Sequence, residues 1–308
     1  MTIMDCRPFL AVGVSFLAAV LISFSRRYPN VRESWSVIAS FIKFGLIISM
    51  VPGVLAGVTY EWTLFQITDT IGFTLRADSA GILFACLAAL LWIPINFYSI
   101  GYMRCNNEHE QTGYFAAFAI CMSSVMGIAM ASNLLTFFFF YELLTIASYP
   151  LVLHKRNEEA LLASRKYLIY TLISGQLFLA GLVAVYCISG TMDFKAGGFL
   201  TTDMAPTWQL QLIFLIMILA GSVKAAVMPL HGWLPAAMIA PTPVSALLHA
   251  VAVVKTGVFA VLRIIGFVFG PKLLADIGTA DILAWFAAGS IIISSLIAIQ
   301  QDNLKRRL

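Results

Sequence analysis

Hydrophobic residues run along this chain in long, nearly unbroken segments that short polar connections separate. A helix needs about 20 apolar residues to cross a bilayer, and nine segments approach or exceed this length. We therefore predict an all-α, polytopic transmembrane helix bundle of about nine spans. The predicted spans lie near residues 8–24, 34–59, 80–102, 112–131, 134–154, 161–189, 209–230, 241–269 and 281–300.

The segment between the second and third predicted spans has a different pattern. Residues 60–79, with the sequence YEWTLFQITDTIGFTLRADS, alternate polar and β-favouring residues around a central region, Asp69–Gly72. Alternation with a period of two is typical of a β-strand, and turn-forming residues between two such runs predict a hairpin. We therefore expect an extramembrane β-hairpin near 60–79. The remaining connections are too short to hold a soluble domain.

The composition supports a membrane protein. Charged residues make up 11% of the chain and hydrophobic residues 60%, and the mean hydropathy is +0.91. Soluble domains carry about 25% charged residues. The first apolar run, Pro8–Phe24, lacks a basic n-region and an A-x-A site, so we interpret it as a helix that is retained and not as a cleaved signal peptide.

Several kinds of chemistry have no signal in the sequence. The cysteines show no paired spacing, so we expect neither a disulfide framework nor a metal or iron–sulfur site. The formal net charge of +4 is small and scattered, and we expect no nucleic acid partner. The sequence contains no Gly-rich phosphate loop and no dinucleotide fingerprint, so we predict no cofactor. The five cysteines are Cys6, Cys86, Cys105, Cys121 and Cys187.

Basic residues in the short loops predict the orientation of the bundle, because short loops that are rich in lysine and arginine stay on the cytoplasmic side. With the N-terminus outside and the C-terminus inside, eleven basic loop residues lie inside and four lie outside. We therefore predict a multi-pass protein of the cytoplasmic (inner) membrane in this orientation. The inside residues are Arg26, Arg27, Arg32, Arg104, Lys155, Arg156, Arg165, Lys166, Lys305, Arg306 and Arg307, and the outside residues are Arg7, Arg76, Lys195 and Lys272.

Few ionisable residues lie within the predicted spans. Glu142 is the acid that lies deep in a span, inside the segment FFFFYELLTIASYPL. Because an ionised carboxylate in hydrocarbon is costly, we predict that Glu142 pairs with Lys224 of the seventh span, which lies at a similar depth. A lysine that changes its protonation when its partner moves is a proton switch. The alternative is a structural ion pair, although such pairs are weak evidence for stability.

A proline-rich stretch follows Lys224. Residues 229–249, PLHGWLPAAMIAPTPVSALLH, contain four prolines within fifteen residues. Proline removes a backbone donor and clashes with the preceding turn, so we predict that the seventh helix breaks between Met228 and Pro235, with Pro229 and Gly232 in the break. Broken helices recur at the ion sites of transporters. An ordinary kinked loop is the alternative.

Two histidines flank two of the intramembrane lysines. His231 follows Lys224 by seven residues, and His249 precedes Lys255 by six. We predict that both histidines are members of a proton relay, since histidine titrates near neutral pH. Packed, hydrogen-bonded histidines are one alternative. Metal ligands are another, but no carboxylate or cysteine lies at ligand spacing from this pair.

The three remaining basic residues within spans have different predicted roles. Lys255 lies near the middle of its span and cannot easily extend its side chain to an interface, so we predict a functional role for it. Lys43 could reach an interface with its alkyl stem, and Arg263 lies near the end of its helix. We expect Lys43 and Arg263 to serve as interfacial anchors.

These residues carry a family signature. The segment KAAVMPLHGWLPAAMIAPTPVSALLHAVAVVKTGVFAVLR strongly resembles the hallmark of the antiporter-like subunits shared by respiratory complex I, Mrp-type cation/proton antiporters and membrane-bound hydrogenases. The segment FYELLTIASYPLVLHK resembles the fifth helix of this family. Within the group, ELLTIASYPLVLHKRNEEALLASRKYL is most similar to Mrp D-type subunits. The resemblance covers the chain from about residue 60 to its end.

The resemblance implies a role for each matched residue. Glu142 and Lys224 match the interacting pair of the family, Lys255 matches the lysine that continues its central hydrophilic axis, and His249 matches a histidine along that axis. The seventh span matches the discontinuous helix of the first of two inverted five-helix repeats.

The resemblance also implies a division of the single membrane domain, 1–308. Residues 1–111 would form three peripheral helices and the hairpin, 112–269 the five-helix ion-translocating repeat, and 270–308 the first helix of an incomplete second repeat. Typical members continue with further helices where this chain stops, at IAIQQDNLKRRL. A split gene, a truncation and a frameshift all remain open.

We therefore predict a subunit that translocates protons, alone or in exchange for a cation such as Na⁺ or K⁺, within a larger membrane complex. Its expected partners are the other membrane subunits, including a chain that supplies the C-terminal helices, and any redox chemistry would belong to these partners. The alternative is a non-conducting structural or assembly subunit or a truncated remnant. An intramembrane hydrolase would need an activated nucleophile near a base, and no such pairing stands out.

Overall fold

The computed structural model describes residues 2–68 and 71–307, without the side chains of residues 248–250 and 306. Eight helices in this part of the chain are long and apolar enough to cross a membrane. The predicted polytopic helical bundle is thereby confirmed. The eight helices are α1 (Arg7–Phe24), α2 (Pro29–Leu55), α3 (Ser79–Cys105), α4 (Gln111–Ala129), α5 (Leu134–Val152), α6 (Glu158–Ser189), α7 (Thr207–Lys224) and α12 (Ala280–Ile299).

Shorter elements connect α7 to α12 and end the chain. A 3₁₀ turn covers Leu230–Gly232, and a π-helix covers Ile264–Phe269. The short α-helices are α8 (Trp233–Ala237), α9 (Thr242–Ala250), α10 (Val253–Arg263), α11 (Pro271–Asp276) and α13 (Leu304–Arg307).

The predicted continuous span 241–269 is wrong, because α9 and α10 are separate helices. Val251 has φ −131° and ψ −49°, which departs from helical geometry. The backbone amides of Val251 and Ala252 both donate to the carbonyl of Leu247, so the regular hydrogen-bond pattern ends there. The chain also passes from one compact unit to another at this point, since α9 belongs to the first unit and α10 to the second.

The first compact unit comprises Met1–Arg156 and Ala240–Ala252. Helix α4 packs against α1 and α5, and α2 packs against α1 and α3. Within its apolar window α4 is 78% buried, so it forms the core of this unit. The hydroxyl of Ser123 on α4 donates to the carbonyl of Val12 on α1 at 2.9 Å, which fixes the two helices against each other.

A small sheet lies beside these helices. Strands β2 (Thr59–Thr68) and β3 (Ile71–Ala77) pair antiparallel where the sequence pattern predicts a hairpin, and Asp69 and Thr70, at the predicted turn, lie outside the described residues. Strand β1 (Thr2–Met4) pairs parallel to β2. Three residues are too short a run for a period-two pattern, so the sequence did not predict β1.

Lys43 on α2 is fully buried in the first unit, so its predicted role as an interfacial anchor is wrong. The ammonium group of Lys43 donates to the carbonyl of Met122 at 2.9 Å and lies 4.7 Å from the ring centre of Trp92. A carbonyl and the face of an indole ring both stabilise a cation. The prediction was based on the position of Lys43 along its span, and this position does not reveal which side of α2 faces the core.

The second unit comprises Asn157–Ile239 and Val253–Leu308. Helix α7 packs against α6 and α10. Arg263 at the end of α10 is only 1% exposed, and its guanidinium lies 4.5–5.1 Å from three phenylalanine rings. Its predicted role as an interfacial anchor is therefore also wrong. Helix α12 has no buried residue, although its apolar composition is typical of a membrane span.

Candidate functional site

Helix α7 ends at Lys224, whose side chain is fully buried. The end of the helix has the hydrogen bonds of a Schellman motif: Val227 N donates to Ser222 O at 3.0 Å, and Ala226 N donates to Val223 O at 3.1 Å. This motif needs a left-handed residue after the helix, usually glycine. Ala226 takes that place with φ +57°. The lysine is therefore the last helical residue before the chain turns away.

Two side chains bind backbone groups of the interrupted segment. The indole Nε1 of the buried Trp233 donates to Val223 O at 2.7 Å, and the ring of Tyr167 on α6 packs 5.4 Å from it. The amide of Met228 donates to the hydroxyl of Ser290 on α12 at 3.1 Å. Because non-helical backbone at membrane depth needs such partners, these contacts support a stable break.

The break begins earlier than the prolines predict. The predicted interval runs from Met228 to Pro235, whereas α-helical structure stops after Lys224 and resumes at Trp233. Pro229 and Gly232 lie in this interval, and the peptide bond before Pro229 is cis. Pro235 is the exception, since it lies within α8. The first turn of a helix tolerates proline because its amides have no intrahelical acceptor.

His231 lies in the 3₁₀ turn of the break and is half-buried. Its Nδ1 is buried and makes no hydrogen bond within the described part of the chain. Lys166 on α6 approaches the same turn: a Cβ added at Gly232 would lie 3.3 Å from its ammonium group. The predicted span 161–189 contains this lysine, but it is counted with the basic residues of the inside loops and so was not predicted as a site residue.

Helix α10 brings Lys255 close to the end of α7. A Cβ added at Gly257 would collide with the backbone of Lys224 and Ala225, so only glycine allows the two backbones to approach this closely. Lys255 lies two residues before this contact, and its side chain is exposed. The second unit thus gathers Lys224, His231 and the turn of α10 that carries Lys255.

The two remaining predicted residues belong to the first unit. Glu142 lies in the middle of α5 and is half-buried. Its pairing with Lys224 stays a prediction. His249 lies on the backbone of α9, and its side chain is outside the described residues.

The family model described as NADH:quinone oxidoreductase/Mrp antiporter, TM matches residues 131–308. The A-type Na(+)/H(+) antiporter subunit of Alkalihalophilus pseudofirmus is 29% identical over 295 residues, which cover 94% of this chain and 36% of that protein. The NAD(P)H-quinone oxidoreductase chain 5 of Picosynechococcus is 30% identical over 277 residues, which cover 87% of this chain and 40% of that protein. The chain therefore spans well under half the length of these relatives.

A chain of the Mrp complex from Dietzia shares the fold, with a TM-score of 0.84 and 22% identity. The match covers 97% of this chain and 32% of that chain. One relative is of the A type, so the specific likeness to D-type subunits stays a prediction. The family model matches more than half of the sequence, and the helical membrane fold agrees with it. The chain belongs to the NADH:quinone oxidoreductase/Mrp antiporter transmembrane family.

Proposed function

We propose that this chain translocates protons, alone or in exchange for a cation such as Na⁺, within a multi-subunit membrane complex. The observation that carries the proposal is the complete burial of Lys224 at the point where α7 is interrupted. Ionisable residues within membranes are costly and mark ion paths or proton relays. Interrupted helices are a recurrent way to build such sites.

Lys224 is the proposed switch, and Glu142 is its proposed partner. A carboxylate close to a buried amine stabilises the protonated form, whereas burial without the carboxylate favours the neutral amine. Movement of either group would therefore make Lys224 take up or release a proton. This coupling converts a conformational change elsewhere in the complex into proton transfer.

His231 and His249 are proposed to pass the proton between Lys224 and Lys255. The buried Nδ1 of His231 makes no hydrogen bond within the described residues, so it is available as an acceptor or a donor, depending on its tautomer. The close approach of α10 to the end of α7 places the turn with Lys255 within the same unit. The role of His249 is supported by its match to the family signature alone.

The test is proton flux into proteoliposomes that contain the whole complex. Lys224→Met keeps the length and apolar stem of the side chain and removes the exchangeable proton. We expect flux to fall by about 100-fold, the lower end of what a positioned proton-transfer group contributes. The matched control is Lys43→Met, because Lys43 is equally buried but binds a carbonyl and an indole ring outside the proposed path. Wild-type flux in Lys224→Met would refute the proposed role.

We further propose that another polypeptide, or a further segment of a longer protein, covers the exposed side of the second unit. Helix α12 is apolar and has no buried residue, and Lys255, which belongs to the same unit, is exposed. An uncovered lysine at mid-membrane costs at least about 2.5–3.5 kcal/mol on insertion scales. Native mass spectrometry after gentle solubilisation should recover the chain with a helical membrane partner. Recovery as a monomer only would favour the non-conducting alternative.

The proposed orientation places the N-terminus outside and the C-terminus inside. Two native cysteines can report it, because Cys6 precedes α1, Cys105 ends α3, and both are exposed. A membrane-impermeant maleimide added to intact cells should label Cys6 and spare Cys105 until the membrane is permeabilised. The reverse pattern of labelling would show that the N-terminus faces the inside, opposite to the proposed orientation.

A further inference from the structure

Three potential metal ligands meet at one end of the first unit, and none of them belongs to the proposed proton path. Glu108 and His109 lie in the loop between α3 and α4, and His154 follows the end of α5. Each offers one ligand atom, and the three atoms lie within 4.8 Å of one another. The sequence did not predict this cluster, because His154 lies 45 positions after His109.

His154 is the buried member of this cluster. Its side chain is 4% exposed, and Nε2 lies 3.5 Å from Oε2 of Glu108. The same Nε2 is buried and makes no hydrogen bond in the described part of the chain. Buried polar atoms almost always have a partner, and the carboxylate of Glu108 at 3.5 Å is at the limit of hydrogen-bond distance, so the protein satisfies this nitrogen only weakly.

We propose that Glu108, His109 and His154 bind a divalent transition-metal ion, with Zn²⁺ as the best chemical match. Zinc takes imidazole and carboxylate ligands at about 2.0–2.2 Å in tetrahedral geometry, which sets neighbouring ligand atoms about 3.4 Å apart. The separation of 3.5 Å between His154 and Glu108 fits that edge. The ring of His109 stacks 4.8 Å from that of His154. Because imidazole lone pairs lie in the ring plane, the exposed His109 side chain would rotate out of this stack for both nitrogens to reach one ion.

The surroundings leave room for a fourth ligand. A cavity of about 130 Å³ opens on one side of His154, where Glu110, Tyr114 and Arg156 also line it. Zinc sites with three protein ligands usually complete their shell with water, and this cavity gives water access to His154. Tyr114 packs its ring edgewise 5.7 Å from His154 and holds the imidazole in place. Arg156 is directed to Glu110, 3.9 Å away, so the carboxylate of Glu108 is not committed to that cation.

Burial, with the neighbouring His109 as a smaller cause, lowers the pKa of His154 below its ordinary value, and the carboxylate of Glu108 acts in the opposite direction. The proposal itself rests on the geometry of the three ligand atoms. A bound ion would tie the α3–α4 loop to the end of α5, the helix that carries Glu142.

The experiment uses the full chain, purified without a polyhistidine tag, stripped with EDTA and titrated with Co²⁺ and Zn²⁺. Co²⁺ in a tetrahedral site absorbs strongly in the visible range. We expect one Co²⁺ per chain, displaced by Zn²⁺, with affinity reduced by more than about 10-fold in Glu108→Gln and His109→Ala. Both residues lie in a loop, so these variants should fold even where His154→Gln does not.

The matched control is Glu159→Gln, which removes the same charge from an exposed side chain at the start of α6, away from the proposed ligands. Its affinity for Co²⁺ should equal that of the wild type. The site does not exist if the wild type shows no saturable binding, if Glu108→Gln and His109→Ala bind as tightly as the wild type, or if Glu159→Gln weakens binding equally. Because the readout is metal affinity, its failure would leave the proposed proton path untouched.

Discussion

At the scale of single residues, Ala226 explains why the break in α7 was predicted too late. A helix that ends with a left-handed residue usually has glycine there, and glycine is the signal that a sequence gives. Here alanine adopts φ +57°, so the sequence contains no visible stop before Pro229. By contrast, Glu142 and Lys224 could be identified from the sequence, since isolated charges in apolar runs stand out. Their burial and their contacts could not be predicted, because both depend on how the helices pack.

Replacing Ala226 with glycine should stabilise the protein. The left-handed conformation costs an L-residue about 1–2 kcal/mol, while the greater chain entropy of glycine in the unfolded state offsets part of the gain. We therefore expect the free energy of unfolding to increase by about 0.5–1 kcal/mol. The increase can be detected as a higher temperature of thermal unfolding in detergent. The matched control is Ala225→Gly, because Ala225 has φ −69° and ψ −7°. Glycine there should lower the unfolding temperature, and equal shifts in both variants would contradict the assignment.

At the scale of elements, the two interruptions differ in how far the sequence reveals them. The break after α7 is followed by prolines, whose missing amide makes continuous helix unfavourable. The interruption between α9 and α10 has no such mark, because LLHAVAVVK contains neither glycine nor proline. It depends on the carbonyl of Leu247 accepting two amides, which is a property of the folded chain.

The end of α7 should depend on the indole of Trp233. Trp233→Phe keeps most of the packing but removes the donor to Val223 O, a bond of 2.7 Å. Loss of one partner of a buried hydrogen bond costs about 1–3 kcal/mol. We expect a lower unfolding temperature and faster amide exchange around residues 223–227. Trp208→Phe is the control, since Trp208 is 62% exposed. No difference between the two variants would show that the bond does not hold the break.

At the scale of the whole molecule, the helical membrane fold followed from hydropathy alone, because apolar runs of this length have few other stable structures. The division of the chain did not follow from the sequence. Residues Ala240–Ala252 belong to the first unit although the chain on both sides belongs to the second. Such a crossing depends on contacts between residues that are distant in sequence. The predicted boundaries at 111 and 269 stay predictions.

The central claim is that Lys224 exchanges a proton under the control of Glu142. The most direct test is a double-mutant cycle on proton flux through the reconstituted complex, with Glu142→Gln, Lys224→Met and both together. If the two residues act as one switch, each single variant loses most of the flux and the double variant loses no more than the worse single variant. If the two losses multiply, or if Glu142→Gln keeps full flux, the two residues act independently and the proposed switch is contradicted.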